Sequence, residues 1–326
     1  MKRTGYLYDK VVDYDNIVAA MVEYDRRRPV RLRRGVDYRL AWEIKREMES
    51  CFARLVSNPR VKFINEYGKI RRLQIPRYKS SIAQIALWNV CGPYVERRVH
   101  TQSFSSRRGY GGHLAAAKCA RFVRTHAGSD ARYFLYFDIR KFYQHIDRRI
   151  VMDRLATIFK DGRVLDMFRA IVESSDDGLP IGYPFSHALA NLYLVPLYFL
   201  VHSVRSVSKV FVYMDNWIVF SRYKKPLHKA VSLARRWLAG VGCAIKGDWQ
   251  IAPTAKRCVR LCGFAIGIRS MRIYRGNWLR TMRDFRRAAA GDGRAAISMA
   301  SRRGWLRFIN REYSPCFCTE RGYLWQ

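Results

Sequence analysis

Two apolar runs dominate the pattern of hydrophobic and polar positions. Residues 133–137 (Tyr-Phe-Leu-Tyr-Phe) are apolar or aromatic throughout and stop at Asp138. A short unbroken run of this kind predicts a buried strand. Residues 210–220 carry apolar stretches on both sides of Asp215-Asn216, which predicts a β-hairpin with those two residues at its turn. Asn and Asp tolerate positive φ and so suit such a turn on conformational grounds alone. Asp138 likewise has an ordinary reading, as the N-cap of a helix beginning just after it.

The rest of the chain reads as a mixture of helices and hairpins. Residues 1–60 are mostly helical in pattern, interrupted by the basic run Arg26-Arg27-Arg28-Pro29-Val30-Arg31-Leu32-Arg33-Arg34. Segments 61–64 and 70–76, joined through Tyr67-Gly68-Lys69, predict a hairpin with exposed Arg and Lys. A helix over 80–90 follows, with Ile82, Ile85, Ala86 and Val90 inward. The Gly-rich basic loop 103–113 leads into a helix over 114–124. The turn-forming stretch 178–187 (Gly-Leu-Pro-Ile-Gly-Tyr-Pro-Phe-Ser-His) precedes an apolar helix over 188–200. An amphipathic helix over 226–239 and a strand pair around 250–251 and 261–264 come next. The tail from Tyr274 interleaves Arg280, Arg283, Arg286, Arg287, Arg294, Arg302, Arg303 and Arg307 with Trp278, Phe285, Trp305 and Phe308, as a small helical domain with one apolar stripe and one basic face would.

Composition narrows the function. The 326 residues suffice for a large core in two or three subdomains, and 49% hydrophobic content excludes a disordered chain. No apolar run reaches the roughly 18 residues of a membrane span. The start Met1-Lys2-Arg3-Thr4 leads into no signal-peptide core, so a cytoplasmic protein is expected. Lys and Arg number 61 against 26 Asp and Glu, a formal net charge of +35. Solubility asks for only about 2–8 in a small domain. The excess points to a polyanion, and its spread along the whole chain favours nucleic acid over a lipid surface. Cys51, Cys91, Cys119, Cys243, Cys258, Cys262, Cys316 and Cys318 lack both the density of a disulfide scaffold and the paired spacing of a zinc site, so free thiols are expected.

The chemistry lies in the two aspartates. A strand ending in one and a hairpin presenting the other can hold two Mg2+ ions about 4 Å apart, with Mn2+ as a substitute. Mg2+ keeps waters and substrate oxygens, so two carboxylates and a backbone carbonyl, such as that of Ile139, suffice on the protein side. The loop at Arg107 has backbone N–H groups and a guanidinium to offer a triphosphate. Together these make a nucleotidyl-transfer site.

In order along the chain, these motifs resemble those of a reverse transcriptase. Phe137-Asp138 with Phe142-Tyr143 resembles motif A, and Leu179-Pro180-Ile181-Gly182 through Ser186 resembles motif B. Tyr213-Met214-Asp215-Asn216 resembles the Tyr-x-Asp-Asp box of motif C, and Leu261-Cys262-Gly263-Phe264 the motif E primer grip. The loop 103–113 resembles the fingers motif before motif A. Ile181-Gly182, where most of the family has Gln-Gly, and Asp248-Trp249-Gln250-Ile251-Ala252-Pro253 are most similar to bacterial and phage enzymes of the diversity-generating-retroelement type.

The resemblance implies an α+β right-hand polymerase. Residues 1–125 would form the N-terminal region and fingers, 126–270 the palm (with a motif B segment at about 176–200), and 271–326 a short helical thumb. It implies Asp138 and Asp215 as metal ligands, Tyr143 as a steric gate against ribonucleotides, and Arg71, Arg72 or both on the incoming triphosphate. Ile181 and Gly182 would pack on the nascent base pair, with relaxed fidelity implied because Ile181 cannot donate the hydrogen bonds of Gln. Lys246 stands near the general-acid position of motif D, about one residue out of register. The implied partners are an RNA template, a DNA primer and product, deoxynucleoside triphosphates, a cognate structured non-coding RNA and an accessory protein. The implied setting is retroelement mutagenesis or antiphage defence.

Two positions depart from the pattern: His187 stands where this group has Gln, and Asn216 where the family has its second motif C aspartate. An active variant, a naturally weakened enzyme and an Asp→Asn change introduced to trap a complex all remain open. So does a non-catalytic RNA-binding scaffold that kept the polymerase fold.

Overall fold

The computed structural model describes residues 3–66 and 69–312. Tyr67 and Gly68 of the expected hairpin joint, and Cys316 and Cys318, lie outside the described residues. The chain forms two compact units that interleave in sequence. One comprises Met1–Thr101, Arg140–Leu197 and Trp237–Ala244; the other comprises Gln102–Ile139, Tyr198–Arg236 and Ile245–Gln326.

Among the described residues the first unit is helical apart from one hairpin and a single bridge between Thr4 and Phe159. The helices Tyr14–Arg26 and Tyr38–Val56 are started by Asp13 and Asp37, whose side chains accept backbone N–H groups of the first turn. Both pack on the helix Tyr78–Glu96. That helix is buried on nearly every side from Ser80 to Leu87, and it runs past the expected end at 90, with Pro93 inside it. Strands β1 (Arg60–Glu66) and β2 (Lys69–Ile75) pair antiparallel, as the pattern predicts. The expected helix over 188–200 is broken into Ser186–Tyr193 and Val195–His202. Pro196 explains the break, since it has no N–H to bond the carbonyl four residues back.

The second unit is built on a four-stranded antiparallel sheet in the order β4-β5-β3-β6. Its strands are β3 (Tyr133–Asp138), β4 (Val207–Tyr213), β5 (Asn216–Ser221) and β6 (Gln250–Pro253). On one face Phe134, Phe211, Ile218 and Phe220 pack with Ala116, Cys119, Ala120 and Val123 of the helix Gly112–His126. On the other, Phe137 stacks on Trp217 at 5.4 Å between centroids, and Leu135 and Val219 are fully buried. A central strand apolar on both faces reads in sequence as a continuous run, which is what 133–137 show.

The expected strand pair at 250–251 and 261–264 is not formed. β6 pairs with β3, whereas 261–264 bridges two strands of a separate three-stranded sheet: β7 (Val259–Leu261), β8 (Phe264–Ile266) and β9 (Met271–Ile273). The reason is local. Cys262 and Gly263 both have positive φ, 50° and 85°, which makes them the two-residue turn of a tight hairpin. The helices Arg275–Ala289 and Gly293–Glu312 follow and pack on each other. No described helix is long and apolar enough to cross a membrane, and the six described cysteines are free thiols.

Candidate active site

Asp138 and Asp215 are brought together by the ladder of the sheet. Asp138, the last residue of β3, lies opposite Asn216 on β5, and the N–H of Ile139 donates to the carbonyl of Asp215 at 3.0 Å. The turn between β4 and β5 consists of Met214-Asp215, one residue earlier than the sequence pattern suggests. Asn216 is already paired with both Tyr213 and Asp138, so the ladder takes it out of the turn. The positive φ falls on Met214, at 58°, although Met is a poor residue for it. Nor is Asp138 a helix cap. The helix Phe142–His145 starts after Lys141, itself at φ 45°.

The electrostatics of the pair are those of a site short of positive charge. Asp138 is 7% exposed. Its carboxyl is pushed up to about 6, first by burial and next by the Asp215 carboxylate, with a smaller push from Asp248; Lys246 opposes them. The Lys246 N–H donates to the Asp138 carbonyl at 2.8 Å, and its ammonium forms an ion pair with Asp138 Oδ1. Oδ1 is buried, and the Lys246 ammonium is what meets it. A buried carboxylate costs free energy unless a cation meets it, and Lys246 only partly offsets burial and the Asp215 charge, since the carboxyl is still pushed up.

Asn216 is held by both neighbours. The Tyr136 hydroxyl donates to Asn216 Oδ1 at 3.1 Å, and Asn216 Nδ2 donates to Asp215 Oδ1 at 3.3 Å. Burial, and then the Asp138, Asp248 and Asp215 carboxylates, push the Tyr136 hydroxyl well above the usual phenol range, so it remains a donor.

These features fit a divalent cation. Two carboxylates repel each other at neighbouring strand ends, and one of them is buried with its charge only partly offset by Lys246. Among the described residues, no group of three or more His, Cys, Asp or Glu side chains is placed to hold a metal. Two carboxylates suffice for a cation that retains water and substrate oxygens.

The other candidate residues of motifs A and B and the β1–β2 hairpin lie in the first unit. Arg71 and Arg72 are adjacent in β2 and so point to opposite faces. Arg72 meets Asp176 at 2.6 Å across two exposed side chains. The motif B loop is stitched by backbone on both sides: Gln74 N–H donates to the Ile181 carbonyl at 2.8 Å, and Leu179 N–H to the Tyr143 carbonyl at 3.0 Å. Gly182, at φ 114°, passes so close to Gln74 that a Cβ would stand 2.6 Å from its carbonyl oxygen. Tyr143 faces His187, with ring centroids 5.5 Å apart.

The family model for reverse transcriptase (RNA-dependent DNA polymerase) matches residues 65–248, more than half of the chain. The chain belongs to the reverse transcriptase family. Its fold agrees. It is similar to apo telomerase from Candida tropicalis, with a TM-score of 0.51 at 12% identity over 67% of this chain and 49% of that one. Against Candida albicans telomerase the TM-score is 0.51 at 11% identity, over 70% and 47%. The chain thus spans about half the length of these telomerases. No curated protein sequence matches it.

Within this reverse transcriptase domain the sheet unites Asp138, Ile139, Asp215, Asn216 and Lys246 in the second unit. Arg71, Arg72, Tyr143, Ile181 and Gly182 lie in the first. Arg107 is turned onto its own loop, donating to the Ser103 carbonyl at 3.2 Å and lying 4.3 Å from the Tyr110 ring centre. The loop braces the β4–β5 hairpin, because the Phe104 N–H donates to the Val212 carbonyl at 3.0 Å. In the primer-grip segment Phe264 is a core residue, 1% exposed, against His113, Trp305 and Phe308. Gly263 accepts from the Tyr274 N–H at 2.9 Å. Sequence reasoning missed Tyr136. Its signal was present, because Tyr136 precedes Asp138 by two on one strand and shares its face.

Proposed function

We propose that this chain is an RNA-directed DNA polymerase of the diversity-generating-retroelement type. It would work with two Mg2+ ions and a dedicated structured RNA in a bacterial or phage retroelement or antiphage system, in the cytoplasm. The observation that carries the chemistry is the Asp138–Asp215 pair, fixed by the β3–β5 register and deficient in positive charge. Asp138, Asp215 and the Ile139 carbonyl would hold the ions, which when bound activate the 3′-oxygen and neutralise the leaving pyrophosphate. The protein's own part is positioning. The β-ladder sets the spacing of the two carboxylates, and Lys246 supplies a cation beside them. Arg71 or Arg72 meets the triphosphate, and Ile181-Gly182 packs on the nascent pair. Tyr143 bars a ribose 2′-hydroxyl. In this reading fingers extend to about 125, palm to about 270, and a short thumb follows. An accessory protein would complete the cleft.

The test is extension of a DNA primer on an RNA template. Incorporation that requires Mg2+ or Mn2+ and stops with chelator is expected; no incorporation under any metal, by native chain or Asn216→Asp, would overturn the reading. Asn216 favours a second reading, a weakened polymerase, which predicts that Asn216→Asp raises the rate.

An RNA partner has support outside the matched segment. Candida albicans telomerase, of similar fold, is described in complex with a TWJ fragment of telomeric RNA. Here the basic run at 26–34 is a folded loop. The buried Asp25 carboxylate accepts the N–H groups of Arg34 and Gly35 at 2.9 and 2.7 Å, and Arg28 and Arg34 lie over the rings of Tyr24 and Tyr78. Arg31 and Arg33 are exposed on it. Changing both to Ala is expected to weaken RNA binding and to flatten the log–log salt dependence by about 0.7 for each phosphate no longer neutralised. Filter binding across a salt series checks this, and an unchanged slope would remove the loop from the interface.

A further inference from the structure

The Tyr136–Asn216–Asp215 chain of hydrogen bonds has a direction. Asn216 Oδ1 can only accept, so the Tyr136 hydroxyl at 3.1 Å must be the donor. The orientation is fixed from the other side: the Asp215 carboxylate can only accept, so the amide nitrogen faces its Oδ1, 3.3 Å away. The one Asn216 atom able to bind a cation thereby has one of its two lone pairs taken by Tyr136. The sheet enforces this arrangement. Tyr136 lies opposite Ile218 and Asp138 opposite Asn216, so Tyr136 and Asn216 are diagonal neighbours on one face.

We propose that Tyr136 and Asn216 are positioning residues. They orient the Asp215 carboxylate for cation binding through this relay, and Asn216 itself contributes no ligand atom. The proposal rests on the two-carboxylate reading above and deepens it. A carboxylate at 216 would have no N–H to offer Asp215 and would add a third negative charge beside Asp138 and Asp215. Asparagine has the same shape, keeps the bond from Tyr136 and gives Asp215 an N–H donor. Its presence is then an ordering device for the Asp215 carboxylate. Outer-shell hydrogen bonds of this kind commonly govern metal affinity by about 10–100-fold.

The test uses the full chain and Mn2+ alone, without nucleic acid. Free Mn2+ is followed by electron paramagnetic resonance in native protein, Tyr136→Phe, Asn216→Ala and the double variant. Melting temperatures in chelator are measured alongside. Tyr136→Phe keeps the ring and removes one oxygen. It is expected to weaken Mn2+ binding about tenfold with little change in melting. Asn216→Ala is expected to weaken it at least as much. The double variant should be no weaker than Asn216→Ala, because both act through one bond. Tighter Mn2+ binding by Tyr136→Phe would show that the Asn216 oxygen is a ligand and would overturn the relay. Additive losses, or lower melting at unchanged affinity, would overturn it too. Primer extension by the same proteins separates the two claims. Native protein whose Mn2+ affinity depends on Tyr136 but which extends no primer keeps the relay and loses the polymerase. Extension with Mn2+ affinity indifferent to Tyr136 does the reverse.

Discussion

Deoxynucleotide incorporation by a chain carrying Asp215→Asn is expected to fall by at least about three orders of magnitude. Metal ions at such a site contribute several kcal/mol of transition-state stabilisation, and each 1.36 kcal/mol is about tenfold in rate. Asn216 is already neutral, so Asp215→Asn would leave Asp138 as the one acidic member of the pair, and its ion pair with Lys246 offsets that charge. Little would remain to attract a divalent cation. Asp138→Asn should be as severe for the same reason. Single-turnover primer extension on an RNA template measures both. RNA binding serves as the control, because one charge in a net +35 changes little of a phosphate-dominated interaction. Stability should move the other way. Asp215 is the second-largest cause of the raised Asp138 carboxyl, so removing its charge relieves a repulsion, and the variant in chelator should melt no lower than the native protein. A rate within tenfold of native would mean that the pair is not the catalytic centre.

The sheet and its aspartates were legible in the sequence for a simple reason. β3 is buried on both faces, so its run of five apolar residues stands out, and the charge that ends it marks the strand end. The hairpin after it was equally plain. Its turn was misplaced by one residue, because Asp and Asn are better turn formers than Met. Local preference pointed to Asp215-Asn216, whereas the ladder holds Asn216 between Tyr213 and Asp138 and leaves the unfavourable φ on Met214. The same rule, tertiary pairing over local propensity, separates β6 from the 261–264 segment. Two positive-φ residues make the latter a turn, and the hydrophobic pattern alone does not show which strand each partner finds.

Side-chain relationships were less visible. Tyr136 appeared as one more aromatic in an apolar run. Its hydroxyl matters only through the register that sets it diagonal to Asn216. Arg107 reads in the sequence as a candidate phosphate ligand because Gly and Arg cluster there, and its contacts within the loop are visible only in the structure. In the folded chain its guanidinium meets the Ser103 carbonyl and the Tyr110 ring. Phe264 reads as part of a primer-grip segment, and the structure adds that it is buried with the rest of β8. Charge was the opposite case. The +35 excess needs no structure to point to a polyanion.

Gly178→Ala is expected to be the most damaging conservative change in the first unit. Gly178 has φ 50° and lies so close to the motif A helix that a Cβ would stand 1.8 Å from the Tyr143 carbonyl oxygen. The obstacle is backbone and cannot rotate away. Relief requires the loop to lift from Tyr143, which breaks the Leu179 N–H bond to that same carbonyl. Strain and overpacking together amount to at least about 3 kcal/mol. In a unit of this size that corresponds to a melting temperature lower by roughly 6–12 °C. Gly35→Ala supplies the control. Gly35 also has positive φ, 73°, but nothing lies within 4 Å of its Cβ position, so only the conformational cost of about 1 kcal/mol applies. Calorimetry of the two variants separates clash from strain, and equal losses would refute the close approach. A second consequence concerns the nucleotide. If Tyr143 is the gate against the ribose 2′-hydroxyl, a loop pushed off its carbonyl loosens that ring, and ribonucleotides should then enter more readily relative to deoxynucleotides. Gly35→Ala, which does not touch that carbonyl, should leave the ratio as it is.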